Sequence, residues 1–102
     1  MPIAVVAEFD VQPGDRSTLN YDAMSERLNA EGDPLAGLIL HTAGFDDGDV
    51  FRIFDVWETG EDARRFAAER LQPVLAEGPR DPTRTGGPNR EYRYELHHVI
   101  KP

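Results

Sequence analysis

The order of the apolar segments is the feature that most restricts how this chain can fold. Four runs rich in β-branched and aromatic residues are interrupted by two amphipathic segments. We predict strands over Ile3–Val11, Gly37–Gly44, Val50–Glu58 and Tyr92–Ile100, and helices over Ser17–Gly32 and from Thr59 to Val74. The order β-α-β-β-α-β predicts an α+β, ferredoxin-like fold, in which both helices cover one face of a four-stranded antiparallel sheet.

Turn and cap residues support these boundaries. Asp47-Gly48 is a strong hairpin signal, so the second and third strands are expected to be antiparallel neighbours. Ser17 or Thr18 can cap the first helix, and Gly32 can end it.

The second helix carries its own start and stop signals. Thr59 is the expected cap, with Asp62 three residues later in an approximate capping box. Pro73 breaks this helix or begins a short further piece. The segment Glu77–Glu91 that follows is rich in proline and glycine, and loops of that length are often functional or mobile.

The predicted strands are apolar on both faces. In the first strand Ile3, Val5 and Phe9 alternate with Ala4 and Val6. A sheet that is apolar on both sides is normally covered on both, and the two helices can cover only one. A second copy of the chain is the simplest cover for the other face, which predicts a two-fold homodimer. The sequence leaves open which face meets the helices.

Composition limits the class of protein and its partners. The 102 residues are enough for a single domain, 1–102. There are 11 basic and 19 acidic residues, a net charge of −8, so nucleic acid is not an expected partner. RNA-recognition motifs share the element order, but their third strand is basic and contains glycine, unlike "FRIFDVWE".

Two further patterns bear on location. The chain has no cysteine, which fits a reducing cytoplasm. No apolar run approaches the roughly 18 residues of a membrane span, and no signal peptide is visible, so we expect no membrane partner. Ten arginines against one lysine suggest a GC-rich, bacterial coding bias.

The segment "DVWETGEDARRF" (Asp55–Phe66) resembles the W-E-S-x-E-A-x-x-x-[HF] motif of the dimeric α/β-barrel superfamily, whose best-known group is the antibiotic biosynthesis monooxygenase domain. "VVAEFDVQPG" and "GLILHTAG" resemble the first and second strands of such proteins. The resemblance implies that fold, and an activity within a diverse set. The set includes cofactor-free monooxygenases acting on aromatic polyketides, haem-degrading monooxygenases, polyketide cyclases, muconolactone isomerases and members without a known reaction.

The motif also narrows the implied activity. Haem-degrading members use an Asn on strand one, a Trp ending strand three and a His on helix two. Trp57 matches the Trp, but strand one offers Glu8-Phe9 and helix two offers Phe66, so haem degradation is not expected. The quinone-forming members combine a Trp with an Asn in the pocket, and strand one lacks the Asn here.

Asp55 and Trp57 are candidate catalytic residues because they share one face near the end of an apolar strand. Trp57 either lines a pocket and stacks on an aromatic ligand or is a core tryptophan. A carboxylate in apolar surroundings must be paired, protonated or hydrated. Asp55 is therefore a general base or substrate acceptor, or it pairs with an arginine or lies in water at the rim.

His41 is the third candidate catalytic residue, since an imidazole titrates near neutral pH. The alternative is a half-buried histidine at the dimer interface. Tyr21, Met24 and Phe66 are candidate substrate-binding residues: they are core residues unless a cavity exists, and are then its walls for a small apolar or aromatic ligand.

Arg52 points away from Asp55, and we expect it to pair with Glu8 or Glu95 rather than to bind substrate. His97 and His98 are adjacent in the predicted last strand, so they would face opposite sides and could not share a metal. No metal and no cofactor are expected.

Taken together, these patterns favour a cofactor-independent monooxygenase acting on an aromatic or polyketide-type molecule. Two alternatives stay open: a cyclase, isomerase or small-molecule binder on the same scaffold, and a dimerisation module without catalysis.

Overall fold

The sheet and its helices follow the predicted order. The computed structural model describes residues 1–84 and 86–102. Its strands are β1 (Ile3–Asp10), β2 (Leu38–Phe45), β3 (Val50–Trp57) and β4 (Arg90–Glu95), and its helices are α1 (Leu19–Leu28), α2 (Gly60–Phe66) and α3 (Gln72–Ala76). A π-helical turn, Ala67–Leu71, joins α2 to α3. The four strands form one antiparallel sheet in the order β2-β3-β1-β4, which confirms the predicted ferredoxin-like α+β fold.

The last strand is shorter than predicted. We expected it to reach Ile100, but it ends at Glu95, which is opposite Ile3, the first residue of β1. The Leu96 N–H still donates to the Pro2 carbonyl, at 2.9 Å. Proline has no N–H to return a bond, so the ladder cannot continue. His97 and His98 therefore lie outside the sheet, and their predicted strand geometry is wrong.

The first helix begins and ends differently from the prediction. Its last residue is Leu28, and Asn29 adopts the left-handed conformation (φ 51°) that Gly32 was expected to supply. Asparagine tolerates this conformation better than most residues. At the start, Thr18 occupies the cap position, but its hydroxyl donates to the Asp22 carboxylate, at 2.8 Å, instead of accepting from a helix N–H.

The second helical stretch begins as predicted. The Thr59 Oγ1 accepts a hydrogen bond from the Asp62 N–H, at 3.0 Å, and donates to the Asp62 carboxylate, at 2.9 Å. Pro73 lies in the first turn of α3, where its missing N–H costs nothing. Gly37 (φ 84°) passes close to this cap, and a Cβ on it would lie 2.3 Å from the Asp62 Cγ, so only glycine fits.

One face of the sheet packs on the helices and is called the helix-facing side. In β3 it carries Phe51, Ile53, Asp55 and Trp57, paired with Phe9, Ala7, Val5 and Ile3 of β1. Its best-packed region joins Ile3, Trp57 and Ala63, with Phe66 against them. This assignment settles which strand face meets the helices, a point that the sequence left open.

The opposite face, called the open face, has no helix on it. Its residues in β1 and β3 are Ala4, Val6, Glu8, Arg52, Phe54 and Val56. β4 adds Tyr92 and Tyr94, and β2 adds Leu40, all three of them exposed. None of the helices among the described residues is long and apolar enough to cross a membrane.

Candidate functional site

His41 and Asp55 form the centre of the candidate site. They are direct neighbours across the β2–β3 ladder, on the helix-facing side. Residues opposite each other in an antiparallel pair have their Cβ atoms about 5 Å apart, which brings the two side chains into contact. The His41 Nδ1 lies 2.5 Å from the Asp55 Oδ1. Of the alternatives left open for Asp55, the structure does not show the arginine pair, because the partner of the carboxylate is the His41 imidazole.

Tyr21 completes the group from the helix layer. Its hydroxyl oxygen lies 2.6 Å from the His41 Nε2, and its ring is nearly parallel to the imidazole, at 11°, with the ring centroids 6.2 Å apart. Tyr21 lies in the first turn of α1 and reaches down to the sheet. The three side chains thus form one hydrogen-bonded chain, Tyr21–His41–Asp55, which we call the triad.

The donors and acceptors of the triad follow from elementary chemistry. A carboxylate only accepts, so the His41 Nδ1 must carry a proton and donate it to Asp55. In the neutral imidazole the Nε2 is then an acceptor, and the Tyr21 O–H donates to it. When the imidazole is protonated, the Nε2–H donates to the Tyr21 oxygen instead. The triad can therefore take up or release one proton without breaking its geometry.

The surroundings raise the pKa values of both His41 and Tyr21. The hydrogen bond that the His41 Nδ1–H donates to Asp55 raises the pKa of His41 above its usual 6.5, against the opposing effect of burial. Burial raises the pKa of Tyr21 above 10.0, and the negative charges of Asp55 and Asp22 add to this. The imidazole is thus the proton acceptor of the triad, and the phenol keeps its proton.

The Asp55 and His41 side chains differ in how much of their surface is exposed to solvent. The Asp55 side chain is 14% exposed and the His41 side chain 40% exposed. The carboxylate is therefore sheltered behind the imidazole, while the imidazole and the half-buried Tyr21 face the side from which a ligand can approach.

Aromatic side chains border the triad on one side. The Tyr21 ring packs edge-on against Phe51, with centroids 5.3 Å apart, and Phe45 lies 4.9 Å from Phe51 on its other side. The Arg16 guanidinium covers the Phe45 ring at 4.7 Å. These contacts hold the tyrosine ring in place.

Trp57 lies on the other side of Asp55, two residues along β3 and so roughly 6.5 Å away. It is 2% exposed and packs on Phe66, with ring centroids 5.0 Å apart. Phe66 is half-buried, as is Met24, one turn along α1 from Tyr21. The predicted site residues thus divide into the triad, an apolar group of Trp57 and Phe66, and Met24 on the helix that carries Tyr21.

Two hollows open on the surface, and neither touches the triad. One, of about 110 Å³, lies beside Phe66, between Leu35 and Arg70. The other, of about 260 Å³, lies along the edge strand β2, next to Arg52. The larger one is shallow and lies at the edge of the sheet, lined by residues of both faces, among them Phe45, Arg52 and Phe54.

Arg52 belongs to a separate ionic cluster on the open face. Its guanidinium donates to Glu8, at 2.8 Å, and to Asp46, at 3.0 Å, and Arg90 donates to the other Glu8 oxygen, at 2.6 Å. The predicted Arg52–Glu8 pair is confirmed, whereas Glu95 lies opposite Ile3 at the far end of β1.

The proline- and glycine-rich loop is tied to the helix that carries Tyr21. The Asn20 side chain donates to the carbonyls of Asp81 and Arg84, at 3.2 and 2.9 Å, and accepts from the Asp81 N–H, at 2.7 Å. Arg27 donates to the Gly78 carbonyl, at 2.7 Å. Thr85, within the predicted loop, lies outside the described residues.

Sequence reasoning found the members of the triad but not their connection. Tyr21 and His41 are 20 residues apart, and His41 and Asp55 are 14 apart. Counting outward from a two-residue turn at Asp47-Gly48 places His41 opposite Phe54. The loop has three residues instead, with Asp49 in the left-handed conformation (φ 60°), and this shift of one residue sets His41 opposite Asp55.

Comparison with known proteins supports the fold. No family model matches the chain, and no curated protein matches it. Among solved structures, a protein from Chloroflexus aurantiacus assigned as an antibiotic biosynthesis monooxygenase is similar over 99% of this chain and 98% of its own, with a TM-score of 0.64 at 16% identity. SnoaB, a cofactor-independent oxygenase from Streptomyces nogalater, is similar over 97% and 96%, with a TM-score of 0.64 at 14% identity. Rv0793 from Mycobacterium tuberculosis is similar over 99% and 98%, with a TM-score of 0.60 at 15% identity.

The chain has the α+β fold of the antibiotic biosynthesis monooxygenase-like domains. The resemblance drawn from the segment Asp55–Phe66 is confirmed at the level of the fold.

Proposed function

We propose that the protein is a cofactor-independent monooxygenase that acts on an aromatic or polyketide-type small molecule. The single observation that carries the proposal is the His41–Asp55 hydrogen bond on the helix-facing side, next to an apolar group that contains Trp57. A base held by a carboxylate beside apolar walls suits the deprotonation of an apolar, weakly acidic substrate. The fold shared with SnoaB, a cofactor-independent oxygenase, supports the assignment.

The proposed reaction needs little from the protein beyond a base. Removal of one proton turns an anthrone into an anion, which passes one electron to O₂. The resulting substrate radical and superoxide combine to form a C–O bond, and loss of water leaves the quinone. For an anthrone, the CH₂ carbon becomes C=O, and one O₂ yields one ketone oxygen and one water. His41 holds the first proton, and Asp55 stabilises the imidazolium that forms.

In this proposal the apolar group orients the substrate. The half-buried Phe66 offers a ring for contact with an aromatic ligand and is backed by the buried Trp57, and Met24 offers a flexible thioether that adapts to the ligand's shape. These residues would exclude water from the reacting anion, which otherwise would be reprotonated.

Oxygen uptake tests the proposal. Purified protein is mixed with an anthrone in an oxygen electrode, beside a protein-free blank that measures autoxidation. We expect uptake above the blank, lost in His41→Gln and reduced in Trp57→Phe. His97→Gln, a histidine outside the sheet, is the matched control and should keep full activity. Uptake equal to the blank over a panel of anthrones and hydroquinones would overturn the oxygenase assignment.

A non-redox isomerase or cyclase is the second candidate, and the triad itself favours it. The same base can move a proton on a substrate that does not react with oxygen. This alternative predicts that an aromatic ligand raises the melting temperature without oxygen uptake. The dimerisation module without catalysis predicts neither effect, because Trp57 and Phe66 would simply fill the core.

A second copy of this chain is the partner that we propose for the open face. Leu40, Tyr92 and Tyr94 expose apolar surface there, next to the buried side chains of Val6 and Val56. Sedimentation should give a dimer for the wild type and a monomer for Tyr94→Asp. A monomeric wild type at micromolar concentration would overturn this part.

A further inference from the structure

Both nitrogens of the His41 ring are already occupied. The Nδ1 is held by Asp55, at 2.5 Å, and the Nε2 by the Tyr21 hydroxyl, at 2.6 Å. A general base must come within hydrogen-bond distance of the proton that it removes. A substrate therefore cannot reach the imidazole directly unless the tyrosine leaves its place.

The tyrosine is held against leaving. Its ring packs edge-on against Phe51, and the preceding residue of the helix, Asn20, is hydrogen-bonded to the long loop. Its hydroxyl, by contrast, has unused capacity: a phenol oxygen has one proton and two lone pairs, and the contact with Nε2 uses only one of these positions. The free position on the oxygen is where a ligand can bind.

We propose that the Tyr21 hydroxyl is the group that meets the substrate and that it relays the substrate's proton to His41. This inference rests on the proposed proton abstraction and extends it, because it names the contact and the substrate class. The substrate then presents a hydroxyl, phenolic or enolic. An anthrone does so in its enol tautomer, which gives the same anion as loss of a CH₂ proton.

The relay balances in protons. The substrate O–H bond breaks as its proton binds to the Tyr21 oxygen, and the Tyr21 O–H bond breaks as that proton binds to the His41 Nε2. The products are the substrate oxyanion, a neutral tyrosine that now donates to it, and an imidazolium whose Nδ1–H still donates to Asp55. Tyr21 ends with the same number of protons as it began with, and no electrons are transferred in this step.

The surroundings suit a relay in which tyrosinate never accumulates. Burial raises the pKa of Tyr21, and Asp55 and Asp22 are the charged groups that add to this. Asp55 is the charged group that faces His41, and its hydrogen bond raises the pKa of the imidazole. The proton that enters through the phenol therefore comes to rest on the histidine.

The first test needs no ligand. In ¹⁵N-labelled protein, long-range correlation spectra of the His41 ring above its pKa report which nitrogen carries the proton. We expect the proton on Nδ1 and an unprotonated Nε2, with the Nε2 shift changed in Tyr21→Phe and unchanged in Tyr94→Phe. A neutral His41 with its proton on Nε2 could not accept from Tyr21 and would overturn the relay.

The second test uses alizarin, a hydroxyanthraquinone whose colour reports ionisation of its phenol and which needs no oxygen. About one unit below the dye's own pKa, the wild type should bind it largely as the anion. Tyr21→Phe should bind it with an ionised-to-neutral ratio about tenfold lower, one unit of pKa. Tyr94→Phe is the matched control. Equal ratios in the wild type and Tyr21→Phe, or no binding at all, would overturn the assignment.

The outcomes separate this inference from the proposed function. Dye ionisation that depends on Tyr21, without oxygen uptake by anthrones, keeps the relay and removes the oxygenase assignment. Oxygen uptake that survives Tyr21→Phe keeps the oxygenase and removes the relay.

Discussion

Asp55 lies opposite His41 on the neighbouring strand, with its Oδ1 2.5 Å from the imidazole Nδ1. The carboxylate is thereby paired inside an apolar sheet without an arginine. An arginine would neutralise it permanently, whereas an imidazole does so only when protonated. The pairing leaves the site able to change its charge near neutral pH.

Turnover should therefore depend on the protonation of His41. The base form is the neutral imidazole, so the rate should rise with pH through the pKa of His41, which the Asp55 hydrogen bond raises above 6.5. Asp55→Asn should move this rise to lower pH and lower the plateau. His41→Gln should lower kcat by about 10²-fold or more, the usual value of a general base. A pH–rate profile that is the same in Asp55→Asn and the wild type would contradict this role.

The same pair should leave a signature in stability. The pKa of His41 is raised on folding, so the stabilisation from its pairing with Asp55 is fully present below the unfolded pKa near 6.5. It is lost as pH rises through the higher, folded-state pKa. Urea midpoints measured from pH 5 to pH 9 should fall across that window in the wild type. In Asp55→Asn they should change less, and equal slopes would argue against the pairing in solution.

Protonation of Glu8 should account for part of the loss of folding stability at acidic pH. Glu8 is 9% exposed, and hydrogen bonds from Arg90 and Arg52 hold its pKa below the usual 4.5. The stabilisation is present above 4.5 and is lost as pH falls through the folded-state pKa. Glu8→Gln should flatten the decline of the urea midpoint on acidification.

Glu61→Gln provides the control for Glu8. Glu61 accepts a hydrogen bond from Arg64, which also lowers the pKa of its carboxyl group. This pair, however, lies within one exposed helix. Exposed pairs of this kind contribute little. Equal effects of the two substitutions would mean that the open-face cluster is no more than a surface feature.

Trp57 should be the most sensitive position in the core. It is 2% exposed, and truncation leaves a cavity between Ile3, Ala63 and Phe66. Trp57→Ala should cost about 3–5 kcal/mol of unfolding free energy, against less than about 0.5 kcal/mol for the exposed Leu75→Ala. Urea denaturation followed by circular dichroism measures both. A tolerant Trp57→Ala would mean that this region is looser than the packing indicates.

The two threonines at the helix N-termini, Thr59 and Thr18, should contribute differently to folding stability. Thr59→Ala removes the acceptor of the Asp62 N–H and should cost about 1 kcal/mol. Thr18→Ala removes a hydroxyl that bonds only to the Asp22 side chain, and it should cost less. The two variants are compared by urea midpoint under identical conditions, and a reversed order would contradict the cap assignment.

Local signals in the sequence determined much of this fold. The hairpin at Asp47-Gly48 and the cap at Thr59 depend on residues close together in the chain, and the structure shows both where they were predicted. The end of β4 depends instead on where its partner strand begins, because Pro2 stops the ladder. A distant residue sets that boundary, which composition and periodicity near residue 96 do not reveal.

In the candidate site, too, residue types could be read locally, whereas the contacts depend on distant parts of the chain. His41, Asp55 and Tyr21 were each singled out by residue type, but their contact requires the strand register and the placement of α1 on the sheet. Both faces of the strands are apolar, so sequence patterning alone could not assign Asp55 to the helix-facing side. Arg52 was easier, because an arginine and Glu8 of opposite charge fall on one face once the strand pairing is assumed.

Alternate residues of β3 face opposite sides of the sheet. Phe51, Ile53, Asp55 and Trp57 face the helices, and Arg52, Phe54 and Val56 face the other way. A single residue inserted or deleted in the strand would move the residues on one side of the change to the other face, so that the Arg52 guanidinium would face the helices or the Trp57 indole would face away from them. Among natural relatives of this chain, we therefore expect length changes to collect in the loops and to spare the eight residues of β3.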